Sequence, residues 1–299
     1  MSTITVIGEA LVDIVPADGR SREIPGGGPA NVAFGLARLG VPVNFWTWIG
    51  NDERGRRIAA HLQSSGVHLT EASRQAARTS TARVSVDSAG VPSYHFDVSW
   101  DLPDDRAPGT DWIHIGSIGA FLEPGAEKVR NIVAAARRTG SLVSFDPNIR
   151  PALMGDHDQA VMSFEHLAAA CDVVKMSDED AEWLYPGASA DAMLDSLHGY
   201  GVRLAALTRG ADGSVLSSGA DHVPVASPQV SVTDTVGAGD TYMTALLWQL
   251  IERPQDGFAL SQDDLAAMGD ICARAAAITV SREGADLPTL EELRAATQR

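Results

Sequence analysis

Short apolar runs alternate along most of the chain with longer segments in which apolar residues recur at helical spacing. Nearly continuous apolar runs are typical of strands buried on both faces, whereas the longer segments predict amphipathic helices. This alternation predicts an α/β fold in which a mostly parallel sheet is covered by helices on both faces. The predicted strands are residues 4–8, 43–49, 112–116, 141–145, 172–175, 204–208 and 223–225, and the predicted helices are residues 32–40, 52–65, 125–139, 159–170, 178–185, 191–200, 241–251, 262–280 and 290–297.

Residues 79–98 depart from this pattern, because polar and apolar side chains alternate there on both sides of a glycine-containing break at residues 88–90. Period-two alternation across such a turn predicts a β-hairpin. With residues 11–15 the hairpin is expected to form a small sheet, which acts as a lid over a ligand, an edge extension or a dimer contact. We therefore predict one α/β domain over residues 1–299, with a lid formed by inserted segments at approximately residues 11–25 and 79–100.

The composition is that of an ordinary soluble globular protein, since 44% of the 299 residues are hydrophobic and 21% are charged. The net charge of −16 argues against nucleic acid or an anionic membrane surface as a partner. The densest basic cluster, Arg54, Arg56 and Arg57, is explained by a solvated helix face.

The start of the chain has neither a basic region nor a long apolar run, so no signal peptide is expected. Cys171 and Cys272 are the two cysteines, and neither belongs to a pair with metal-ligand spacing. Both are expected to be buried, reduced thiols of a cytoplasmic protein. The eight histidines also lack the close pairing of zinc sites, so no transition metal is predicted.

The candidate chemistry centres on residues 234–240, which stand directly before a predicted helix. The small residues Gly237, Ala238 and Gly239 allow backbone N–H groups to converge at the helix N-terminus, which favours an anion. Asp240 then places a carboxylate beside a site suited to negative charge, as a general base would require. A simple helix cap is the alternative for this stretch taken alone.

A second glycine-rich stretch, residues 25–31, precedes the first predicted helix. Its glycines allow the main chain to approach a ligand closely, and Asn31 offers both a donor and an acceptor, which suits a polyhydroxyl ligand. The stretch matches neither the dinucleotide fingerprint nor the Walker loop. Asp13 follows the first predicted strand, where α/β sheets bind ligands, although a structural turn explains it equally well.

Polar clusters also follow three later strands, at residues 146–150, 175–180 and 208–213. Turn formation and helix capping explain each cluster by itself. Because parallel strands end at the same edge of a sheet, their recurrence predicts a ligand site at that edge.

These motifs resemble the ribokinase-like (PfkB) carbohydrate kinase family, most closely its fructokinase-like branch. Residues 234–240 are similar to the family's C-terminal signature and residues 26–31 to its N-terminal one. Residues 8–9, 145–151 and 208–213 follow in the family's order, so the resemblance covers most of the chain. It implies a ribokinase-like three-layer sandwich with a small β-sheet lid.

The resemblance implies an ATP-dependent kinase that phosphorylates a primary hydroxyl of a free sugar, with magnesium and, in addition, potassium as cations. Fructose is the expected sugar. The alternatives are a ribose-type sugar and 2-keto-3-deoxygluconate, whose carboxylate needs a cation such as Arg83 or Arg150. A non-catalytic sugar or nucleoside sensor is the alternative from another class. The expected partners are small molecules, with a homodimer through the lid as an alternative role for that sheet.

The family's site residues transfer onto matching positions of this sequence. The implied roles are a catalytic base for Asp240; phosphate stabilisation for the N–H groups of Gly237, Ala238 and Gly239; sugar binding for Asp13, Gly27, Gly28, Asn31, Tyr94, Phe96 and Arg150; nucleotide binding for Thr208, Gly210 and Gly213; and a monovalent-cation site for Asp234 and the carbonyl of Val236.

One motif departs from the family pattern. Many relatives carry an Asn-x-x-Glu motif that organises magnesium, whereas this chain has Ser177 and Asp180 at those positions. Because magnesium keeps several waters, we expect Asp180 to act on it through water.

Overall fold

The computed structural model describes residues 2–17, 20–86, 92–103, 109–253 and 258–298, with the side chains of residues 17, 86 and 92–94 also outside the description. Two sheets are present in this part of the chain. The strands are β1 Ile4–Ile7, β2 Leu11–Ala17, β3 Arg20–Gly26, β4 Val43–Trp46, β5 His68–Leu69, β6 Thr81–Val86, β7 Pro92–Asp97, β8 Trp112–Gly116, β9 Leu142–Asp146, β10 Val173–Ser177, β11 Leu204–Thr208, β12 Ser214–Ser218 and β13 Asp221–Val225.

The helices mostly begin at residues that cap them well. Asp52 accepts a hydrogen bond from the Gly55 N–H, and Ser177, Ser261 and Thr289 each form a capping box. The helices are α1 Gly28–Arg38, α2 Glu53–Ser64, α3 Ile118–Phe121, α4 Gly125–Thr139, α5 Pro151–Met154, α6 His157–Ala168, α7 Asp178–Leu184, α8 Ala190–Gly199, α9 Ala238–Ile251, α10 Gln262–Val280 and α11 Leu290–Thr297.

The large sheet has the order β13-β12-β11-β10-β9-β8-β1-β4-β5. Strands β11 through β5 run parallel, and β12 and β13 are added antiparallel at one edge. All residues of β1, β8 and β9 are buried, as their continuous apolar sequences predict. The carboxyl ends of the parallel strands therefore form one edge on which polar residues can meet.

Helices cover both faces of this sheet and give two separate apolar cores. Leu36 of α1 and Leu246 of α9 belong to the first core, and Val129 of α4 and Phe164 of α6 belong to the second. The predicted three-layer α/β architecture is thus confirmed. In the described part of the chain, no helix is long and apolar enough to cross a membrane.

The second sheet has the order β3-β2-β6-β7, so the predicted small separate sheet is present. Its apolar face packs Leu11 and Ala82 against Ile118 of the main body, with Phe96 beside them. The hairpin prediction is confirmed by the antiparallel pairing of β6 with β7. The role of this sheet as a lid stays a prediction.

Asp13 lies within β2 and not in a structural turn, and residues 11–15 join the small sheet as predicted. Other predictions were wrong for local reasons. Strand β12 was missed because serines interrupt its apolar run, although Ser214 and Ser217 are buried. Helix α9 begins at Ala238 and not at residue 241, since Gly237 in a left-handed conformation starts the helix earlier.

We expect the buried centre of α9 to carry much of the stability of the first core. Leu246 is fully buried, so Leu246→Ala should lower the free energy of unfolding by about 2–5 kcal/mol in urea denaturation, through lost transfer energy and a cavity. Met162→Ala, at an exposed position of α6, is the matched control and should change it by less than about 0.5 kcal/mol. Equal effects of the two substitutions would contradict the assignment of Leu246 to the core.

Candidate active site

The N-terminus of α9 is built by a tight turn that needs a glycine. Gly237 has φ 79°, and a Cβ there would lie 2.7 Å from the Cβ of Ala285. The Thr241 hydroxyl donates to the Gly237 carbonyl at 2.8 Å and contacts the Thr279 hydroxyl at 2.8 Å. The turn is therefore held from both sides, which fixes the direction of its N–H groups.

The three predicted phosphate-binding amides differ in this turn. The Ala238 N–H donates to the Thr235 carbonyl at 3.3 Å. The N–H groups of Gly237 and Gly239 have no hydrogen-bond acceptor among the described residues. Unpaired amides at a helix N-terminus bind anions, so Gly239 and Gly237 are the better placed of the three.

Asp240 lies in the first turn of α9 and faces the N-terminus of α1. Its Oδ2 accepts a hydrogen bond of 2.7 Å from the Asn31 amide, and its Oδ1 lies 3.2 Å from where a Gly28 side chain would begin. Burial raises the pKa of Asp240, whereas the hydrogen bond from Asn31 and the charges of Lys175 and Arg150 oppose the rise. One oxygen is thus held in place while the other faces a small cavity.

The glycines before α1 are required by close approaches. A Cβ at Gly26 would lie 2.0 Å from Oδ2 of Asp13, and one at Gly27, where φ is 112°, would lie 2.6 Å from the Glu9 carbonyl oxygen. Asp13 is consequently pressed against the glycine stretch. Burial raises the pKa of Asp13 to about 6, with Arg150 opposing and Asp240 adding to the shift.

The loop after β9 supplies the opposite wall of the cavity. Asn148 has φ 38°, and its Nδ2 lies 2.7 Å from the position of a Gly28 Cβ. Arg150 donates to the carbonyl oxygens of Asn148 and Ile149, at 3.2 and 3.0 Å. Its guanidinium therefore stabilises the loop and also acts electrostatically on Asp13 and Asp240.

The structure brings together further buried polar residues to which sequence reasoning assigned no role. Asp146 ends β9, His114 lies on β8, and both line the cavity with Gly28, Ser117, Asn148 and Asp240. Lys175 of β10 donates to Asp146 Oδ2 at 2.7 Å. Both residues belong to the polar clusters that predicted a ligand site at this edge, but their pairing depends on strand order and could not be inferred from the sequence.

Glu9 is a further carboxyl group near this site, and it is almost fully buried. Its Oε2 accepts a hydrogen bond of 2.9 Å from the Gly119 N–H, and Ser117 also bonds to it. Burial raises the pKa of Glu9 to about 7, which outweighs these hydrogen bonds. The glutamate thus anchors the turn between β8 and α3, where Ser117 has φ 53°.

Asp180 is positioned differently from a free metal ligand. Its Oδ1 accepts the Ile149 N–H at 2.7 Å, and its Oδ2 accepts the Ser177 N–H at 2.9 Å as part of the capping box of α7. Each oxygen keeps one further acceptor position, so Asp180 fits an indirect contact through water. Within the described residues no group of three or more His, Cys, Asp or Glu side chains is arranged to hold a metal ion.

The predicted nucleotide turn lies beside this site, at the end of β11. The Thr208 hydroxyl bonds weakly to the Met176 carbonyl at 3.4 Å, and Gly210 begins a short 3-10 turn. A Cβ at Gly213 would lie 2.1 Å from the Val225 carbonyl oxygen, so this glycine is required by strand packing. Their role toward a nucleotide stays a prediction.

The predicted monovalent-cation residues lie behind the turn at Gly237. Asp234 accepts the N–H groups of Val236 at 3.1 Å and of Gly284 at 2.9 Å. The carboxylate therefore ties this loop to the segment after α10.

Three further candidates, Arg83, Tyr94 and Phe96, lie in strands β6 and β7 of the small sheet. The backbone of Tyr94 pairs with Val84, but its side chain lies outside the described residues. Phe96 packs with Leu11 and Ala82 on the face toward the main body. Arg83 is exposed, and it adds to the hydrogen bond from Arg54 in lowering the pKa of Glu23.

Known proteins resemble this chain over most of its length. The family model for pfkB family carbohydrate kinases matches residues 1–292. The chain is 32% identical to a fructokinase of Escherichia coli, over 97% of each chain. The fructokinase from Xylella fastidiosa with bound ATP superposes with a TM-score of 0.86 at 25% identity, covering 99% of this chain and 98% of that one. A double mutant of the fructokinase from Vibrio cholerae O395, with fructose, ADP and potassium ion bound, gives a TM-score of 0.83 at 26% identity over 99% and 98%.

The raised pKa of Glu9 predicts a pH-dependent stability difference. The folded protein holds this proton more tightly than the unfolded chain, so ionisation of Glu9 lowers the free energy of unfolding as pH rises through about 7. Glu9→Gln removes the ionisation and keeps an acceptor for Gly119. We expect the variant to gain about 2 kcal/mol over wild type between pH ~5 and pH ~8 in urea denaturation.

Glu252→Gln, at the exposed end of α9, is the control for this comparison and should show no such gain. A constant difference between Glu9→Gln and wild type across this pH range would refute the raised pKa.

Proposed function

The chain belongs to the pfkB family of carbohydrate kinases, and we propose that it transfers the γ-phosphate of ATP to the primary hydroxyl of fructose, giving fructose 6-phosphate. The observation that carries the proposal is the position of Asp240. One carboxylate oxygen is held by Asn31, the other faces the cavity beside Gly28, and the unpaired N–H groups of Gly237 and Gly239 belong to the same first turn of α9. A base and an anion site are thus adjacent, as phosphoryl transfer to a hydroxyl requires.

In this reaction Asp240 takes the proton of the sugar hydroxyl. The hydroxyl oxygen forms a bond to the γ-phosphorus, and the bond between that phosphorus and the oxygen bridging to ADP breaks. The amides of Gly237 and Gly239 donate hydrogen bonds to the transferred group and stabilise its charge. Positioning and charge stabilisation supply most of the acceleration in such transfers, and a general base adds about 10²- to 10⁴-fold.

The sugar site is suited to a neutral polyol. Asp13 and Asn31 offer hydrogen-bonding groups beside Gly27 and Gly28, whose lack of side chains lets Asn148 and Asp240 approach the same point. The positive charge of Arg150 is already opposed by Asp13 and Asp240 and directed at backbone carbonyls. This arrangement favours fructose over 2-keto-3-deoxygluconate, whose carboxylate needs an unopposed cation. The relatives named fructokinase support the same choice.

Cations complete the proposal. Magnesium neutralises phosphate charge when it is bound with the nucleotide, and Asp180 would contact it through water, since both of its oxygens already accept backbone N–H groups. Potassium is proposed at Asp234 and the Val236 carbonyl, where it would stabilise the turn that carries Gly237. The relative from Vibrio cholerae with potassium ion bound supports the choice of potassium as the cation.

Removal of the base tests the proposed reaction directly. Asp240→Asn keeps the size of the side chain and removes its charge, so we expect kcat to fall by about 10²- to 10⁴-fold. The measurement is coupled ADP release with fructose, ribose and 2-keto-3-deoxygluconate, together with ATP binding by calorimetry. Asp158→Asn, at an exposed position of α6, is the matched control and should turn over as wild type does.

Near wild-type rates for Asp240→Asn would show that Asp240 is not the base. A wild-type protein that binds ATP but phosphorylates none of the three sugars would favour a sensor and refute the kinase proposal. A wild type that prefers another of the sugars would refute only the choice of fructose.

The hydrogen bond from Asn31 predicts a shift of the pH profile. Because this bond lowers the pKa of Asp240, its loss in Asn31→Ala raises that pKa, and the base is protonated at higher pH. We expect the acid limb of kcat/KM to move up by about one pH unit, because the loss of a hydrogen bond to a charged group shifts a pKa by about that amount. Asn51→Ala, in an exposed loop, should leave the limb in place. A limb that does not move, or moves down, would contradict the role of Asn31.

A further inference from the structure

A buried lysine ammonium lies directly at the N-terminus of α9. Lys175 is 4% exposed, and its Nζ donates to Asp146 Oδ2 at 2.7 Å. A Cβ at Gly239 would lie 2.9 Å from this Nζ, so the ammonium lies against the backbone of the turn and Gly239 leaves room for it. The lysine thus reaches from β10 to the same point toward which the amides of the turn are directed.

This placement is unfavourable for a purely structural lysine. The N-terminus of a helix already carries partial positive charge, which repels a cation. Burial of an ion pair also costs desolvation energy, and apolar residues of similar size often stabilise a fold equally well or better. Val173, which faces the same side of β10 as Lys175, is apolar and fully buried in the first core. The surroundings of β10 therefore do not require a charged side chain, which favours a functional reason for Lys175.

The ion pair is also incomplete. An ammonium has three N–H donors, and in the described part of the chain Lys175 uses one of them, on Asp146. The second oxygen of Asp146, Oδ1, is buried and has no hydrogen-bond partner. A pair kept for structure alone is expected to satisfy its buried polar atoms. Asp146 and Asp240 both line the cavity beside this pair.

The charge on Lys175 is maintained by its surroundings. Burial alone would lower the pKa of Lys175, but the carboxylates of Asp146, Asp180 and Asp240 outweigh it, and the pKa is raised. Burial, together with the charge of Lys175, lowers the pKa of His114 to about 3, so this neighbour stays neutral. The ammonium is consequently the cation next to the turn, held ready for an anion.

We propose that Lys175 is a catalytic residue, whose ammonium donates hydrogen bonds to the transferred phosphoryl group between Asp240 and the Gly239 amide. Asp146 is its positioning residue, which keeps the ammonium charged and directed at the turn. The inference rests on the kinase reaction proposed above and adds a protein cation to its anion site. Lys175 forms and breaks no covalent bond, since the hydroxyl proton goes to Asp240 and ADP leaves as the anion.

The experiment separates this role from that of a structural ion pair. Lys175→Met removes the ammonium but leaves Asp146 buried alone, so the double variant Lys175→Met with Asp146→Asn restores neutrality. We expect kcat with fructose to fall by about 10²- to 10³-fold in both variants, with KM for fructose changed less than about threefold. Asp146→Asn alone should lower kcat less, because the ammonium remains. Arg137→Met is the control, as it breaks a partly buried pair with Asp172 away from the turn, and should keep wild-type kcat.

Two outcomes would overturn the proposal. A double variant that recovers kcat to within about threefold of wild type would show that only the unpaired Asp146 charge had been harmful. A single variant with unchanged kcat would show that the ammonium has no role.

A second measurement remains informative even if no sugar is phosphorylated by the wild type, an outcome that refutes the proposed function alone. Calorimetry without sugar measures the affinities of the protein for ATP and for ADP. We expect the ratio of the ATP affinity to the ADP affinity to fall by at least about tenfold in the folded double variant, because one charged contact to the γ-phosphate is lost. An unchanged ratio of the two affinities would contradict a contact between Lys175 and the γ-phosphate.

Discussion

The close approach of α1 and α9 is the contact on which the candidate site depends. Gly35 allows it, because a Cβ there would lie 2.4 Å from Cδ2 of Leu287 and 2.9 Å from Cγ2 of Thr244. The two helices begin at the same edge of the sheet, so their first turns meet and Asn31 reaches Asp240 at 2.7 Å. A glycine in the middle of one helix thereby sets the distance between residues at the N-termini of two helices. The packing of the first core therefore also determines the geometry of the proposed base.

The second constraint is the concentration of buried charge at this edge. Burial raises the pKa values of Glu9, Asp13, Asp146 and Asp240, since a carboxylate loses its water there. Arg150 opposes this effect at Glu9, Asp13 and Asp240, and Lys175 opposes it at Asp146 and Asp240. An arrangement of this kind reduces stability near neutral pH, which is a common feature of catalytic sites. In a kinase the same low-dielectric surroundings strengthen the interactions with a transferred phosphoryl group.

The small sheet contacts this edge of the large sheet at two places, one near the proposed sugar site and one near the proposed cation site. Strand β2 carries Asp13 to the glycine stretch, and Arg22 of β3 forms an ion pair with Glu283, in the segment whose next residue donates to Asp234. The pair is exposed, so it contributes little to stability. It nevertheless connects the predicted lid with the segment behind the turn at Gly237, so that the proposed sugar side and the proposed cation side of the site share one element.

Much of the fold and part of the site followed from the sequence alone. Continuous apolar strands, helical periodicity and the period-two hairpin predicted the three layers and the small sheet, because these patterns depend on local backbone geometry and burial. Residues 26–31 and 234–240 marked the two halves of the site for the same reason, since glycines at helix N-termini have local consequences. Strand β12 was not predicted because its serines make the sequence look polar. Such serines are nevertheless buried when a neighbour forms a hydrogen bond with them, as Tyr242 does with Ser214.

Tertiary structure alone decided which polar residues meet. Asp146 and Lys175 are 29 positions apart, and either one could equally have belonged to a turn or a cap. Asp180, expected near magnesium, is used by the backbone of Ile149 and Ser177, and Ala238, expected to bind phosphate, donates to Thr235. Partner choice of this kind depends on strand order and on the distance between helices, which are set by the packing of the whole chain. Local sequence determines which chemistry is available, and long-range packing determines where each charge lies.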